Sequence, residues 1–362
     1  MSESKVDERD ILAALSRVKD PELHRDLVTL GMVKNLKVHA DGAVSVRIEL
    51  TTPACPLKAQ IQADVEAALR SVRGVSGIDI EWGAQVRGGA PQKGNLIPGV
   101  RNVVLVGAGK GGVGKSTVAV NLAAALAREG ATVGLLDADF YGPSIPMMMG
   151  VSSRPKSADG KTLDPLLAHG LKVMSIGLLV EPDQPMVWRG PMLHGALVQL
   201  LRDVSWGELD YLVLDLPPGT GDIPLTLAQT VKAAGVVLVS TPQDVALADV
   251  VKAKAMFDKV AIPVLGIVEN MSDFICPHCN HATAIFSSGG TEKAARLMGI
   301  PLLGRIPLDL KVREGGDAGV PVVVSHPTSL EAQAFSEMAR NIAGKVSVQA
   351  HQVKLPVFAA QA

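Results

Sequence analysis

From residue 102 onward, short, largely aliphatic runs alternate with longer stretches of helical spacing. The runs at 103–106, 132–137, 171–175, 211–215, 236–240, 264–268 and 302–306 read as strands. Strands with no polar alternation are buried on both faces, which predicts an α/β fold: a mostly parallel sheet covered by helices on both sides. In such folds ligands bind at the carboxyl ends of the strands. Ahead of this region, residues 7–83 read as a small α+β unit. Ile11, Leu12, Leu15 and Val18 give a helix over 7–18, 31–38 and 42–50 are paired strands around Ala40-Asp41-Gly42, 57–72 is a second helix and 75–82 a last strand. Residues 84–100 contain Arg87-Gly88-Gly89-Ala90-Pro91-Gln92-Lys93-Gly94 and almost no periodicity, the mark of a linker. The predicted organisation is a small domain over 1–83, a linker over 84–100, a large domain over 101–345, and a tail over 346–362 without a clear period and open to disorder.

Composition narrows this picture. At 362 residues the chain has room for two domains, and with 47% hydrophobic but only 3% aromatic residues its core is aliphatic. The 35 basic and 36 acidic residues nearly cancel, which gives no electrostatic reason to expect nucleic acid or an anionic membrane as partner. No apolar run approaches the roughly 18 residues of a membrane helix. The polar start, MSESKVDERD, does not read as a secretory signal, and three cysteines cannot build a disulfide framework, so a reducing cytoplasm is expected.

Chemistry enters at Gly109-Lys110-Gly111-Gly112-Val113-Gly114-Lys115-Ser116-Thr117, directly after the first strand of the large domain. This satisfies G-x-x-x-x-G-K-[ST], a loop whose backbone N–H groups converge on a phosphate at the start of a helix. Lys115 is expected to reach the β/γ-phosphates and Ser116 to offer its hydroxyl to Mg²⁺. Two later strands end in carboxylates: Leu135-Leu136-Asp137-Ala138-Asp139, and 212–222, LVLDLPPGTGD. Asp215 is the candidate for Mg²⁺ and Asp139 for orienting or deprotonating the attacking water. Taken singly, each of these aspartates also reads as a helix cap or turn residue. Lys110 is a second lysine in the same loop. Two ammonium groups about 4 Å apart repel by roughly 4 kcal/mol at a surface-like dielectric, so both share one site only around a polyphosphate. The alternative, preferred here, is that Lys110 points away and meets the nucleotide of a second subunit. A solvated lysine at a loop tip is the plain alternative.

Cys276-Pro277-His278-Cys279 sets two thiols at metal-chelating separation. A [4Fe–4S] cluster usually takes four thiolates. With three cysteines in the chain and Cys55 in the other domain, the simplest count is two such pairs from two subunits. Zinc on Cys276, Cys279 and His281, with or without His278, redox chemistry, and purely structural cysteines stay open. Cys55 precedes Pro56 and a predicted helix, where a helix N-terminus would lower its pKa; a small buried side chain is the other reading.

The strings GKGGVGKST, DADFYGPS at 137–144, DLPPGTGD at 215–222 and STPQDVALADVVKA at 240–253 closely resemble the Mrp/ApbC family of iron–sulfur cluster carrier ATPases. That family belongs to the deviant-Walker-A group with the MinD and ParA proteins. The small domain, through Asp20-Pro21-Glu22 and 51–56 (TTPACP), resembles the iron–sulfur-assembly domain often fused ahead of it. The resemblance implies that Lys110 is the signature lysine, Lys115 the phosphate-loop lysine and Ser116 the Mg²⁺ ligand. It implies that Asp139 and Asp215 are the two switch aspartates and that Asn270 contacts the adenine ring. It further implies a sandwich-like homodimer sharing a cluster at its interface. The expected function is an ATP-binding carrier with slow hydrolysis, which binds a [4Fe–4S] cluster between two copies and passes it from scaffold proteins to apoproteins. A positioning ATPase of the ParA/MinD kind and a metal-binding scaffold with a degenerate nucleotide site are the rival readings.

Overall fold

The computed structural model describes residues 6–88, 96–157, 159–180, 190–219, 221–276, 278–279 and 281–351. The chain divides into two compact units, the smaller taking the residues up to Arg87 together with those from Ser347 and the larger Gly88–Val346, so that the last helix begins in the larger and ends in the smaller.

The smaller unit runs α1 (Glu8–Leu15), β1 (Val33–Val38), β2 (Ala43–Leu50), α2 (Lys58–Arg70) and β3 (Gly77–Ala84). Asp7 starts α1 by accepting the Arg9 N–H at 3.0 Å. β2 is central, antiparallel to β1 and parallel to β3. Its alternate residues Val44, Val46, Ile48 and Leu50 are buried with Ile11 and Leu15 of α1 and Ile61, Val65 and Leu69 of α2. Each such fully buried aliphatic side chain contributes about 2 kcal/mol from its removal from water.

The larger unit begins with β4 (Val100–Ala108), α3 (Lys115–Arg128), β5 (Val133–Asp137), α4 (Ile145–Met148), β6 (Leu166–Ala168) and β7 (Leu171–Ser175). It continues with α5 (Gly190–Arg202), β8 (Leu209–Asp215), α6 (Asp222–Thr230), β9 (Ala233–Ser240), α7 (Asp244–Lys259), β10 (Val264–Ile275) and β11 (Ala282–Thr283). The last elements are α8 (Gly290–Met298), β12 (Leu302–Leu308), α9 (Leu310–Ala318), α10 (Val322–Ser325) and α11 (Leu330–His351).

The sheet order is β11-β10-β9-β4-β8-β5-β7-β6, with β12 also paired to β10. All pairings are parallel except those of the short strands β6 and β11. Every residue of β5 and β8 is buried, as continuous apolar runs require in a sheet covered on both faces. After β4 the chain moves outward to β5 and later returns to the other side at β9, so the strand order reverses around β4. The carboxyl end of β4 is therefore the switch point where an open α/β sheet leaves a crevice.

All seven strands read from the large domain's sequence are present; β6 and β11, too short for a period, were not foreseen. One expectation is corrected. The tail predicted from residue 346 is helical as far as His351, because α11 continues with Val346 and Ser347 buried. Residues 352–362 of that tail, and 89–95 of the predicted linker, lie outside the described residues.

Candidate functional site

The loop 109–114 leaves the end of β4 and delivers the chain into α3. Two glycines are dictated by their surroundings. A Cβ on Gly109 would sit 2.3 Å from the backbone of Asp249 in α7. Gly114 has φ +79°, and its Cβ would meet the Asn270 amide nitrogen at 2.2 Å. Gly114 is also the residue that caps α3, and it offers no side-chain acceptor. The first N–H groups of α3 are therefore left without a capping side chain, which suits them to an anionic ligand.

Beside this helix start lies a buried polar cluster. Lys115 is 7% exposed; its Nζ lies 2.7 Å from Asp215 Oδ1 and 3.6 Å from Asp139 Oδ2. Ser116 Oγ donates to the other oxygen of Asp215 at 2.5 Å. Asp215 ends β8 and Asp137 ends β5, and the two are in register on adjacent strands. Parallel neighbours in register lie about 5 Å apart, so two carboxylates share one water-free pocket. Burial pushes the Asp215 carboxyl up, while Lys115 and Ser116 act to hold it down. Burial, and then the charge of Asp215, push Asp137 up to about 7. The N–H groups of Asp139 and Ile145 and the hydroxyl of Ser175 donate to Asp137 and oppose that rise.

Sequence reading had put weight on Asp139 and passed over Asp137. The signal was available, because Asp137 is the first carboxylate after the apolar run and so belongs to the strand itself. Asp139 lies two residues on, with one carboxylate oxygen accepting the Gly142 N–H at 3.4 Å.

Two carboxylates, Asp215 and Asp139, thus flank the buried Lys115, with Asp137 beside Asp215 on the neighbouring strand. The excess of negative charge and the hard oxygens of Ser116 and Asp215 fit a divalent cation of the Mg²⁺ type. Val113 is buried and its carbonyl accepts the Asn270 amide at 2.9 Å; Asn270 is itself 4% exposed. The amide placed by resemblance at the adenine ring therefore holds the phosphate loop in this structure. Gly111 and Gly112 are exposed on the loop, and Thr117 follows Ser116 in the first turn of α3. Lys110 is half-buried and, among the described residues, has no hydrogen bond or ion pair.

The cysteine pair stands apart from this cluster. β10 outruns its neighbours to Ile275 and folds back through 276–281 into β11, pairing Ile275 with Ala282. Cys276 is half-buried and Cys279 exposed, and the Cys276 N–H donates to the His281 carbonyl at 3.0 Å. The N–H groups of His278 and Cys279, and then the Cys279 thiol, hold Cys276 below the ordinary thiol value. Such donors favour the thiolate, the form that binds metal. Among the described residues, no group of three or more His, Cys, Asp and Glu side chains is placed to hold a metal ion. Of the two readings of Cys55, the structure fits the small buried side chain. The Leu57 N–H at the start of α2 does lower its pKa, but burial outweighs it and pushes the thiol up to about 11.

Comparison with known proteins gives the family. The profile of the NUBPL iron-transfer P-loop NTPases matches residues 99–343, and that of an iron–sulfur cluster assembly protein matches 8–81. An iron–sulfur cluster carrier protein of Deinococcus radiodurans is 54% identical over 94% of this chain and 95% of its own length. One from Escherichia coli K12 is 46% identical over 94% and 91%. Among solved structures, a nucleotide-binding protein from Archaeoglobus fulgidus in complex with ADP is 43% identical over 61% of this chain and 87% of its own, with a TM-score of 0.54. The cell-division ATPase MinD of Pyrococcus furiosus, 24% identical over 67% of this chain and 98% of its own, shares the fold at a TM-score of 0.52. With the phosphate loop, the strand-end aspartates and both profile matches in place, this chain belongs to the iron-transfer P-loop NTPase family.

Proposed function

We propose that the chain binds ATP at the loop 109–117 and carries an iron–sulfur cluster on Cys276 and Cys279, two copies supplying the four thiolates of one [4Fe–4S] cargo. The observation that carries the reading is the hairpin. Two adjacent thiols, one exposed and one half-buried, grow from the same strand whose Asn270 touches the phosphate loop. A single chain offers that cargo only this pair, which is why a second copy is invoked.

At the nucleotide site, the backbone of Gly109, Gly111, Gly112, Val113 and Gly114 cradles the phosphates, with Ser116 and Thr117 opening the helix beyond. Lys115 leaves Asp215 in part to meet the β/γ-phosphates. Ser116 and Asp215 would hold Mg²⁺, which when bound neutralises phosphate charge. Asp139 orients the attacking water and accepts its proton. Lys110 reaches the nucleotide bound by the facing copy, stabilising charge on the terminal phosphate as the bond to the leaving oxygen breaks. Asn270, through the amide groups left over from its bond to Val113, contacts the adenine. Hydrolysis alters the contact between copies and with it the hold on the cargo, which passes to apoproteins in a reducing, cytoplasmic setting. The ADP complex of the Archaeoglobus fulgidus relative supports the nucleotide, and the carrier names of the full-length relatives support the cargo.

Anaerobic reconstitution with iron and sulfide tests this. The wild-type chain should take up about two irons per copy and run at the mass of a dimer. Cys276→Ala/Cys279→Ala should take up none. Equal uptake by both proteins, or a loaded protein that stays a single copy, would overturn the reading.

A further inference from the structure

β10 links the two halves of the molecule's chemistry, and its hydrogen bonding changes midway. Its pairing with β9 ends at Glu269 opposite Ser240. Beyond that point it stays beside β12, but Asn270 pairs with Ile306 and Phe274 with Leu308, so four steps along β10 match two along β12. The two extra residues form a bulge. Met271, within it, has φ +54°, a left-handed conformation that a side chain such as methionine adopts at a cost. One side-chain bond spans the bulge: the buried Ser272 hydroxyl donates to the Ile306 carbonyl at 3.2 Å.

On the near side of the bulge, Asn270 is fixed to the phosphate loop by its bond to Val113 and by its packing over Gly114. On the far side, Phe274 and Ile275 enter the hairpin with β11, and Cys276 follows. Asn270 and Cys276 are six residues apart along β10 and the start of its hairpin, and the bulge shortens that path. A bulge left unclamped would absorb any shift of Asn270, and a clamped one passes it on.

We propose that Ser272 is a positioning residue that pins the outer half of β10 to β12, so that movement of the phosphate loop, felt by Asn270, shifts the Cys276–Cys279 pair. This rests on the reading of the loop as a nucleotide site and of the pair as the cargo site. It adds the element that joins them. Coupling of this kind is reciprocal, so occupation of the thiols alters nucleotide affinity by the same factor.

The test uses the full-length, reduced, iron-free chain. Iodoacetamide alkylation of Cys55, Cys276 and Cys279 is followed separately by peptide mass spectrometry, with and without Mg²⁺ and the non-hydrolysable β,γ-imido analogue of ATP. In the wild type the analogue should change the rate at Cys276 and Cys279 by about fivefold or more, the low end of ordinary coupling energies, and leave Cys55 unchanged. Ser272→Ala should bind the analogue as the wild type does and lose the response. Ser272→Thr, which keeps the hydroxyl, should retain it. Met271→Gly relaxes the bulge without strain in the fold and should also lose the response; it decides the matter if Ser272→Ala does not fold. A wild type whose thiols ignore the analogue would overturn the proposal. So would a folded Ser272→Ala that responds in full, since simple covering of the hairpin by a second copy does not need Ser272. No iron enters this experiment, so its failure is distinct from a failure of cluster uptake.

Discussion

The phosphate site and the cysteine hairpin are built on opposite plans. At the first, Lys115, Asp137 and Asp215 are nearly or wholly excluded from water, and each charge has partners fixed by β5, β8 and α3. At the second, the thiols sit at the turn of a two-stranded extension, Cys276 half-buried with its N–H bonded to the His281 carbonyl and Cys279 exposed. The first site is preorganised because the core that buries it also aims it. The second is more open, with Cys279 exposed and Cys276 half-buried, as the carrier role proposed above requires. On that proposal one chain holds a complete electrostatic cluster at one place and half of a ligand set at the other.

Substitutions sharpen that contrast. Lys115→Ala leaves Asp215 buried without its cation, and removal of one member of a buried pair costs about 3 to 5 kcal/mol. Urea denaturation should show that loss, and phosphate release should fall by a factor of about 10² to 10³. A stability near that of the wild type would mean the cluster is not closed as described.

The next effect is on pH dependence. Asp137 has its pKa raised to about 7, so between its unfolded value and 7 the folded chain holds a proton that the unfolded chain has lost. Its contribution to stability is therefore lost as pH rises through that window. Relative to Asp137→Asn, the wild type should lose up to about 4 kcal/mol of stability from about pH 4 to about pH 8, measured on the nucleotide-free protein. A difference that is flat with pH would contradict a protonated Asp137.

Gly114→Ala forces a side chain to φ +79° against Asn270 and should cost about 1 to 3 kcal/mol, with weaker nucleotide binding by calorimetry. At the other site the smallest change in stability is expected. Cys276→Ala/Cys279→Ala should unfold within about 0.5 kcal/mol of the wild type, even though it abolishes cluster uptake. A large destabilisation would place these thiols in the structural frame instead.

Much of this was legible in the chain. The strands at 103–106, 132–137 and 211–215 are aliphatic runs without polar alternation, which burial on both faces explains, so a mostly parallel covered sheet followed. The loop 109–117 declared itself because close backbone approach and left-handed dihedrals demand glycine at fixed spacing. β10 was read only as 264–268, since Glu269, Asn270, Ser272 and Asp273 break the apolar run. Glu269 and Asn270 are in the strand because β12, distant in sequence, supplies their partners Arg305 and Ile306. The same limit governs Cys55, where the local signal of a helix start pointed down and burial beneath the small unit's core pointed up.

The sequence by itself determined the fold class, the phosphate loop and the pairing of two cysteines, because each is written in residues that are neighbours along the chain. The tertiary structure decided that burial beside Asp215 pushes Asp137 up to about 7, that Asn270 grips the loop, and that one strand runs from that grip to the residue before Cys276. Those depend on charges and hydrogen bonds between strands, and the distance across a sheet bears no relation to the distance along the chain.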